Sequence, residues 1–345
     1  MNKMRIMTSK PLNAETPTEH LRSWITPNAV FFDRNQGAIP SRRIPIEQWS
    51  LSVSGEVGAP LVLSFGEILS LPRAIAANTL ECSGNSRSLL GEKALGNPWT
   101  VGGVGNAVWG GVWLREILHR SGLKPEARHV AFEGLDKPLG SSRARFIRSI
   151  PLEKALSSTL LAYEMNGESL PLKHGYPLRA LALGWTGANC VKWLTRITVL
   201  DRPFEGFYMD SVYRIFQKGQ EPRTGDVVTR MKLKSIITRP VPGEILPAGA
   251  ITILGAAYAG ELEIAGVQVS MDGGSTWLSA EFIGPREPYA WRQWQFIWEA
   301  REGQYRIMAR AADVEGHVQP MSAEWNVLGY GNNGVEEHAV DVTVR

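Results

Sequence analysis

The feature that most constrains the fold is a change of pattern near residue 230. From Ile236 onward, short runs rich in β-branched and aromatic residues follow one another, and no helical periodicity interrupts them. The segment Asp272-Gly273-Gly274-Ser275, between two of these runs, is typical of a hairpin turn. About seven such runs in roughly 110 residues is the size of an immunoglobulin-like β-sandwich. The clearest runs are residues 251–254, 267–270, 294–298 and 305–309.

The residues before this change mix short strands with short helices. Residues 49–53 alternate apolar and polar side chains, which predicts a strand. Ser64 is followed three residues later by Glu67, the spacing of a capped helix start. A second helix is predicted at residues 112–118, ending near Gly122. Because strands and helices show no regular alternation, we predict an α+β region and not a doubly wound sheet.

A polar segment at residues 222–234 separates the two patterns. We therefore predict a first domain at residues 1–228 and a second at residues 229–345. The N-terminal residues 1–45 are polar and carry several prolines, which indicates an arm with a short extended stretch at residues 30–32.

Bulk composition excludes several classes of protein. Hydrophobic residues make up 43% and charged residues 21%, the balance of an ordinary globular protein, which argues against disorder. The net charge of +3 is too small to indicate a nucleic-acid partner. The basic N-terminus lacks the apolar stretch of a secretory signal, and no run approaches the ~18 apolar residues of a membrane span. We therefore expect a cytoplasmic protein, or a periplasmic one if a signal was trimmed.

The chain has two cysteines, Cys82 and Cys190, too few for a disulfide framework, and neither has the clustered neighbours of a zinc site. Each is therefore an inert buried thiol or one special ligand. Cys82 lies among small and polar residues, whereas an inert thiol more often lies inside an apolar run. Gly84 allows a bulky group to approach, and Arg87 could lower the pKa of a thiol and bind an anion. A thiolate suits a soft or high-valent metal with sulfur ligands.

The segment around Cys82 resembles the cysteine loop of the sulfite oxidases and assimilatory nitrate reductases, whose usual form is close to L-x-C-A-G-N-R-R. Residues 161–171 are very close to the same family's L-A-Y-E-M-N-G-x-x-L-P. The resemblance continues in order over most of residues 30–328. The other matching segments are residues 31–35, 97–99, 109–114, 132–136, 174–179, 191–194, 269–277 and 291–294.

This resemblance implies a molybdenum bound by molybdopterin, a pyranopterin dithiolene, with Cys82 as the one protein thiolate on the metal. Because the pterin supplies two sulfurs, the enzyme needs few cysteines. Residues 1–228 then form a sulfite-oxidase-type molybdopterin-binding catalytic domain. Residues 229–345 form an all-β immunoglobulin-like dimerisation domain, so we expect a homodimer. We expect no haem domain in this chain, and we therefore expect electrons to leave to an external carrier such as cytochrome c.

The resemblance also assigns the residues around the metal. Sulfite is an oxyanion, and the forked donors of arginine suit it. The residues assigned to the substrate pocket are Arg34, Arg87, Trp99, Tyr213 and Arg292. The last of these requires the second domain to reach the pocket. The residues assigned to the cofactor are Asn35, Asp136, His174, Arg179 and Lys192. Without the resemblance, each cation among them is equally an ordinary surface arginine, loop histidine or strand-edge lysine.

Five positions depart from the family's pattern. Gln36 stands where the family usually has His, and Asn189 and Cys190 replace the Arg and His of G-A-R-H-V-K-W. Ser83 and Ser86 stand where Ala and Arg are usual. The departures affect the contacts to the cofactor, and we interpret Cys190 as a structural thiol and not a second ligand.

We predict that the chain oxidises sulfite to sulfate. The alternative is a nitrate reductase or another oxyanion, S-oxide or N-oxide oxidoreductase on the same fold. Nitrate reductases resemble W-C-W-C-F-W where this chain has Trp291-Arg292-Gln293-Trp294, and the arginine favours sulfite. The non-enzymatic alternative is a cofactor-free binding protein that has kept the fold. Metal analysis distinguishes them, because a binding protein would hold no molybdenum.

Overall fold

Two groups of sheets follow one another along the chain in a computed structural model, which describes residues 4–139 and 144–345. The strands of the first group are β1 (Arg5–Ser9), β2 (Leu12–Glu15), β3 (Ser50–Gly55), β4 (Leu61–Ser64), β5 (Arg73–Glu81), β6 (Val104–Trp113), β7 (His129–Gly134), β8 (Ile147–Pro151), β9 (Thr159–Met165), β10 (Glu168–Ser169), β11 (Arg179–Ala182), β12 (Leu194–Leu200), β13 (Arg214–Ile215) and β14 (Asp226–Val227). The helices are α1 (Phe65–Leu69), α2 (Leu114–Ser121), α3 (Leu152–Ser158) and α4 (Phe207–Asp210). Single 3-10 turns lie at Thr18–Arg22, Ile46–Gln48, Arg87–Leu89, Leu172–His174, Gly187–Asn189, Pro222–Thr224 and Glu336–His338.

Two larger sheets enclose the first core. One has the order β10-β9-β6-β5, with β11 also paired to β9, and its pairs are antiparallel. The other has the order β4-β3-β12-β7-β8, in which β12 runs parallel to β3. Aliphatic side chains from both sheets and from α2 and α3 fill the space between them. The predicted α+β architecture is confirmed, because short helices cover sheets that are almost wholly antiparallel.

The helix signals in the sequence were partly accurate. Ser64 and Glu67 form the predicted capping box at the start of α1. The second helix begins only at Leu114, because the two residues before it finish β6, and it ends at Gly122 with a φ of +66°. Residues 30–32 were wrongly predicted to be extended; the backbone there turns at Pro27. Across the described ranges, no helix has the length and apolar character needed to cross a membrane.

The N-terminal segment packs against both groups of sheets instead of forming a free arm. The buried Glu15 accepts a hydrogen bond of 2.9 Å from the Thr100 hydroxyl. Arg22 donates from Nε to the Thr238 carbonyl at 3.0 Å, and the Trp24 carbonyl accepts from the Trp291 indole at 3.0 Å. These contacts bring the segment that follows, residues 31–36, beside the cysteine loop.

The second group of sheets forms the predicted sandwich. Its strands are β15 (Lys234–Arg239), β16 (Ile245–Leu246), β17 (Gly249–Tyr258), β18 (Ile264–Ser270), β19 (Leu278–Ser279), β20 (Glu281–Ile283), β21 (Arg292–Ala300), β22 (Gly303–Asp313) and β23 (Val340–Val344). The orders are β15-β17-β21-β20 and β16-β23-β22-β18-β19, with an apolar core between the sheets. The described chain holds nine strands here and not seven, because strands of two or three residues carry no readable period. The hairpin turn lies at Asp272 as predicted, where Thr276 donates to the Asp272 carboxylate at 2.9 Å.

Candidate active site

A cavity lies where the cysteine loop, residues 31–36 and the segment between β11 and β12 converge. Both cysteines line it, together with aromatic walls and a set of cationic side chains. The lining residues are Phe31, Phe32, Arg34, Asn35, Gln36, Leu80, Cys82, Ser83, Asp136, Phe146, His174, Arg179, Gly187, Ala188, Cys190, Lys192, Trp193 and Tyr213.

Cys82 lies at the first turn after β5, with its thiol buried in this cavity. Its backbone N–H donates to Gly103 at 2.8 Å, and its carbonyl accepts from Asn85 at 2.8 Å, so the loop is fixed on both sides. Burial raises the pKa of the Cys82 thiol, and the positive charge of Arg34 opposes that rise more than Arg87 does. Arg87 lowers this pKa as expected, but its effect is smaller than that of Arg34 and does not offset the effect of burial. A positive centre at the sulfur is needed to make the thiolate the favoured form.

Arg87 lies behind the cysteine loop and not in the cavity wall. It donates to the Leu328 carbonyl at 2.7 Å and the Asn97 carbonyl at 2.9 Å. A Cβ atom on Gly84 would clash with its guanidinium group. The bulky group that Gly84 admits is therefore this arginine, which fills the inside of the loop.

Asn35, Asp136, His174, Arg179 and Lys192 gather at the end of the cavity that we call the lysine end. Lys192 donates to the Asn35 side-chain oxygen and to the Lys173 carbonyl, and burial lowers its pKa to about 7. Burial raises the pKa of Asp136 to about 6 and lowers those of Arg179 to about 10 and of His174 well below its usual value. Arg179 donates to the His174 carbonyl at 2.9 Å, but its Nε has no partner among the described residues. This end therefore has donors and charge for an anion.

Tyr213 and Arg34 form what we call the tyrosine end. The Tyr213 hydroxyl accepts a hydrogen bond of 2.6 Å from Gln36, and its backbone has a φ of +57°. Its ring stacks on Tyr330, with centroids 5.5 Å apart and planes at 16°. Arg34 donates to the Asn13 side chain at 3.1 Å and to the Asn35 carbonyl, both neutral acceptors. The full positive charge of Arg34 is therefore available to the cavity.

The sequence missed Tyr330 and Arg148. Tyr330 belongs to residues 325–338, which we call the closing segment because it lies over the cysteine loop. In it, Gly331 donates to the Ser83 carbonyl at 2.9 Å, and Asn332 donates to the Ser86 carbonyl at 2.8 Å. No local signal marks the closing segment, because the residues that it contacts lie some 246 positions away in the chain. Arg148 left only a weak signal, a cation between Ile147 and Ile150 in the largely buried strand β8.

Eight of the eleven predicted site residues line the cavity; Arg87, Trp99 and Arg292 do not. Trp99 packs edge-on against Phe32 behind the wall, with ring centroids 6.1 Å apart. Arg292 does not lie in the cavity where the motif had placed it: its guanidinium lies 4.6 Å from the Phe282 ring in a separate cleft. The reason is the register of β21, which pairs Arg292 with Ala257 in the sandwich. The second region reaches the site through the closing segment instead.

The donor set indicates what the cavity can hold. Within the described residues, no cluster of three or more His, Cys, Asp or Glu side chains could hold a metal ion, so a metal must bring its own ligands. Four buried or part-buried cations at or behind the cavity have no carboxylate partner in the described chain: Arg34, Arg87, Arg148 and Arg179. Unpaired buried charge is costly, so such a set fits an anionic guest. An anionic cofactor that carries a soft metal to Cys82 meets both conditions.

Comparison with known proteins gives an independent result. Residues 36–208 match the oxidoreductase molybdopterin binding domain, and residues 226–344 match the Mo-co oxidoreductase dimerisation domain. The chain is 36% identical to sulfite oxidase of Gallus gallus over 94% of this chain and 75% of that protein. It is 35% identical to the mitochondrial sulfite oxidase of Rattus norvegicus over 99% of this chain and 66% of that protein.

Two further matches extend the range of similar proteins. An NADH nitrate reductase of Oryza sativa is 32% identical over 96% of this chain but only 40% of its own length. The crystal structure of the sulfane dehydrogenase SoxCD from Paracoccus pantotrophus superposes with a TM-score of 0.85 and 28% identity. That match covers 99% of this chain and 91% of the other, so it spans both groups of sheets.

Proposed function

Because this chain belongs to the sulfite oxidase family of molybdenum-cofactor oxidoreductases, we propose that it oxidises sulfite to sulfate and passes the electrons to an external one-electron carrier such as cytochrome c. The observation that carries the proposal is the buried Cys82 thiol in a cavity surrounded by cations that have no carboxylate partner among the described residues. A redox metal with an anionic cofactor and an oxyanion substrate are the guests that such a cavity fits.

Cys82 is the residue that would bind the metal, and the lysine end would hold the pterin and its phosphate. Lys192, Arg179 and His174 supply donors there, and the partnerless Arg179 Nε points to a missing acceptor. When bound, the molybdenum cofactor supplies the two-electron chemistry of oxygen transfer. Cys190 contacts the Thr186 carbonyl at 3.9 Å through its sulfur, which supports a structural thiol and not a second ligand.

The tyrosine end would bind the substrate. Arg34 offers a forked cation to an oxyanion. Because the Tyr213 oxygen accepts from Gln36, its own proton is free to be donated to a group in the cavity. Phe31 and Phe32 form an apolar wall that excludes water and strengthens these contacts.

Nitrate reduction remains the alternative on this fold. Arg292 no longer separates the two activities, because it lies outside the cavity. Identities of 35–36% to animal sulfite oxidases against 32% to the rice nitrate reductase support sulfite. The cofactor-free alternative would leave several buried cations without any counterion, which is energetically unfavourable. The dimerisation domain supports a homodimer.

The test uses the purified full chain. Molybdenum content is measured first, followed by sulfite-dependent reduction of ferricyanide and of cytochrome c. Nitrate-dependent oxidation of a reduced viologen dye is measured on the same preparation. We expect about one molybdenum per chain and turnover with sulfite. Metal-loaded protein that turns over nitrate but not sulfite would favour the alternative, and protein without molybdenum would refute both.

A further inference from the structure

Arg148 is a buried cation that the proposed reaction does not yet use. It lies on β8 opposite Phe132 of β7, wholly inaccessible to solvent. It donates to the Tyr208 carbonyl and, at 3.0 Å, to the Asn189 side-chain oxygen. No carboxylate in the described chain pairs with it, and its Nε has no hydrogen-bond partner there. A structural role alone does not explain why so costly a group is kept.

The guanidinium group of Arg148 faces Tyr213. Its central carbon lies 5.2 Å from the centre of the Tyr213 ring, the distance of a cation–π contact. Phe146 and Tyr330 contact the same ring, at centroid distances of 6.2 Å and 5.5 Å. With Gln36 bound to the hydroxyl, the ring is held at its faces, its edge and its oxygen.

Arg148 also connects this ring to the cysteine loop. Asn189, its acceptor, donates to the Thr186 hydroxyl at 3.4 Å and to the Val228 carbonyl at 3.1 Å. The Thr186 hydroxyl is bonded in turn to the Ser83 hydroxyl at 2.9 Å, next to Cys82. Asn189 is the position where the family's motif has arginine. In this chain the guanidinium group of Arg148, on β8, contacts the residue at that position.

We propose that Arg148 is a positioning residue for Tyr213: it holds the ring with its hydroxyl at the cavity and lends that hydroxyl the field of an unpaired cation. A cation against the ring makes the phenol a stronger hydrogen-bond donor. An oxyanion is stabilised by accepting this stronger hydrogen bond, whereas a neutral molecule is stabilised less by it. Arg148 thereby favours anionic substrates without touching them. This inference rests on the proposed function.

The test is a double-mutant cycle in the full chain, with Arg148→Gln, Tyr213→Phe and both together. Two quantities are measured: kcat/KM for sulfite per bound molybdenum, and the dissociation constant of sulfate by calorimetry. We expect Arg148→Gln to lower kcat/KM and weaken sulfate binding about tenfold when Tyr213 is present, and less than twofold when it is Phe. Arg202→Gln, at a position 73% exposed, is the matched control and should change neither quantity.

Each remaining outcome decides the proposal. Equal losses with and without the Tyr213 hydroxyl would show that Arg148 acts independently and overturn it. Loss of melting temperature with normal kinetics per molybdenum and normal sulfate affinity would show a structural role only. If Arg148→Gln does not fold, the cycle is run with Arg148→Lys, which keeps the charge but loses the planar fork. We then expect kcat/KM and sulfate affinity to fall about threefold, and this loss to disappear when Tyr213 is replaced by Phe. Wild-type protein without sulfite turnover refutes the proposed function, while the sulfate cycle still tests the coupling.

Discussion

The two ends of the cavity carry their positive charge in different ways. At the lysine end, the pKa values of Lys192 and Asp136, about 7 and about 6, lie close to neutrality, so pH and a bound anion set the charge there. At the tyrosine end the cations are arginines, which remain charged at any pH of interest, and Arg34 and Arg148 pair with neutral acceptors. The charge of the lysine end therefore changes with pH and with a bound anion, whereas the charge of the tyrosine end stays constant.

Cys82, between the two ends, should give the largest effect. Cys82→Ser replaces a soft thiolate with a hydroxyl, a poor ligand for such a metal. We expect sulfite turnover to fall at least a thousandfold while pterin content and melting temperature stay close to wild type, because both ends of the cavity remain intact. Cys190→Ser is the matched control and should keep most of the activity. A Cys82→Ser enzyme with near wild-type turnover would mean that the metal has another ligand.

Lys192→Met tests the lysine end. It removes a buried donor to the proposed phosphate group, a charge-assisted contact of about 1.5–3 kcal/mol. We expect cofactor retention after dialysis to fall roughly ten- to a hundredfold, and KM for sulfite to be unchanged in the molecules that stay loaded. Pterin content is measured by fluorescence after release. A change in KM with full retention would mean that the two ends are not separate.

The pH dependence of stability follows from the lowered pKa of Lys192. In the cofactor-free protein, the unfolded chain binds a proton on this lysine between about pH 7 and its ordinary pKa, whereas the folded chain does not. Stability should therefore rise with pH across that window. Asp33, Arg179 and Asp136 face the same amine, and their charges influence how far the pKa of Lys192 is lowered. We expect the melting temperature to rise by roughly a few degrees from pH 7 to 9, and this rise to be smaller in Lys192→Met. An identical rise in both proteins would remove the assignment to Lys192.

Arg292→Met should give the smallest effect. Although the sequence motif assigned this arginine to the substrate pocket, it lies over Phe282 in another cleft. We expect kcat/KM for sulfite to change less than twofold, with a stability loss of about 1 kcal/mol from the part-buried cation–π contact. A tenfold rise in KM would restore the original assignment and show that the tyrosine end extends into the second region.

The sequence predicted the elements whose causes are local. The capping box at Ser64 and the hairpin turn at Asp272 depend on neighbours within four positions. The second helix was predicted two residues early because Val112 and Trp113 are apolar in either a strand or a helix, and only pairing with β5 and β9 decides. All eleven predicted site residues came from the motif resemblance, and eight of them line the cavity, because a resemblance carries long-range information that periodicity lacks.

Tyr330 was missed because its contacts form between distant parts of the chain. Tyr330 reaches Tyr213 only because the closing segment returns across the cysteine loop, and no local pattern reports such a return. Arg292 lies outside the cavity for the converse reason. Its motif matched, but the register of β21 turns its side chain to a different cleft. The position of a residue in a motif therefore did not determine where its side chain lies.

The closing segment also sets an order of events during synthesis. Leu328, which binds Arg87 behind the cysteine loop, is added 241 residues after it. At about 5–20 residues per second, the ribosome needs roughly ten to fifty seconds to cover that distance. During this interval the loop that carries Cys82 exists without its cover. The cover is complete only once its own residues and β23, which follows them, have been added.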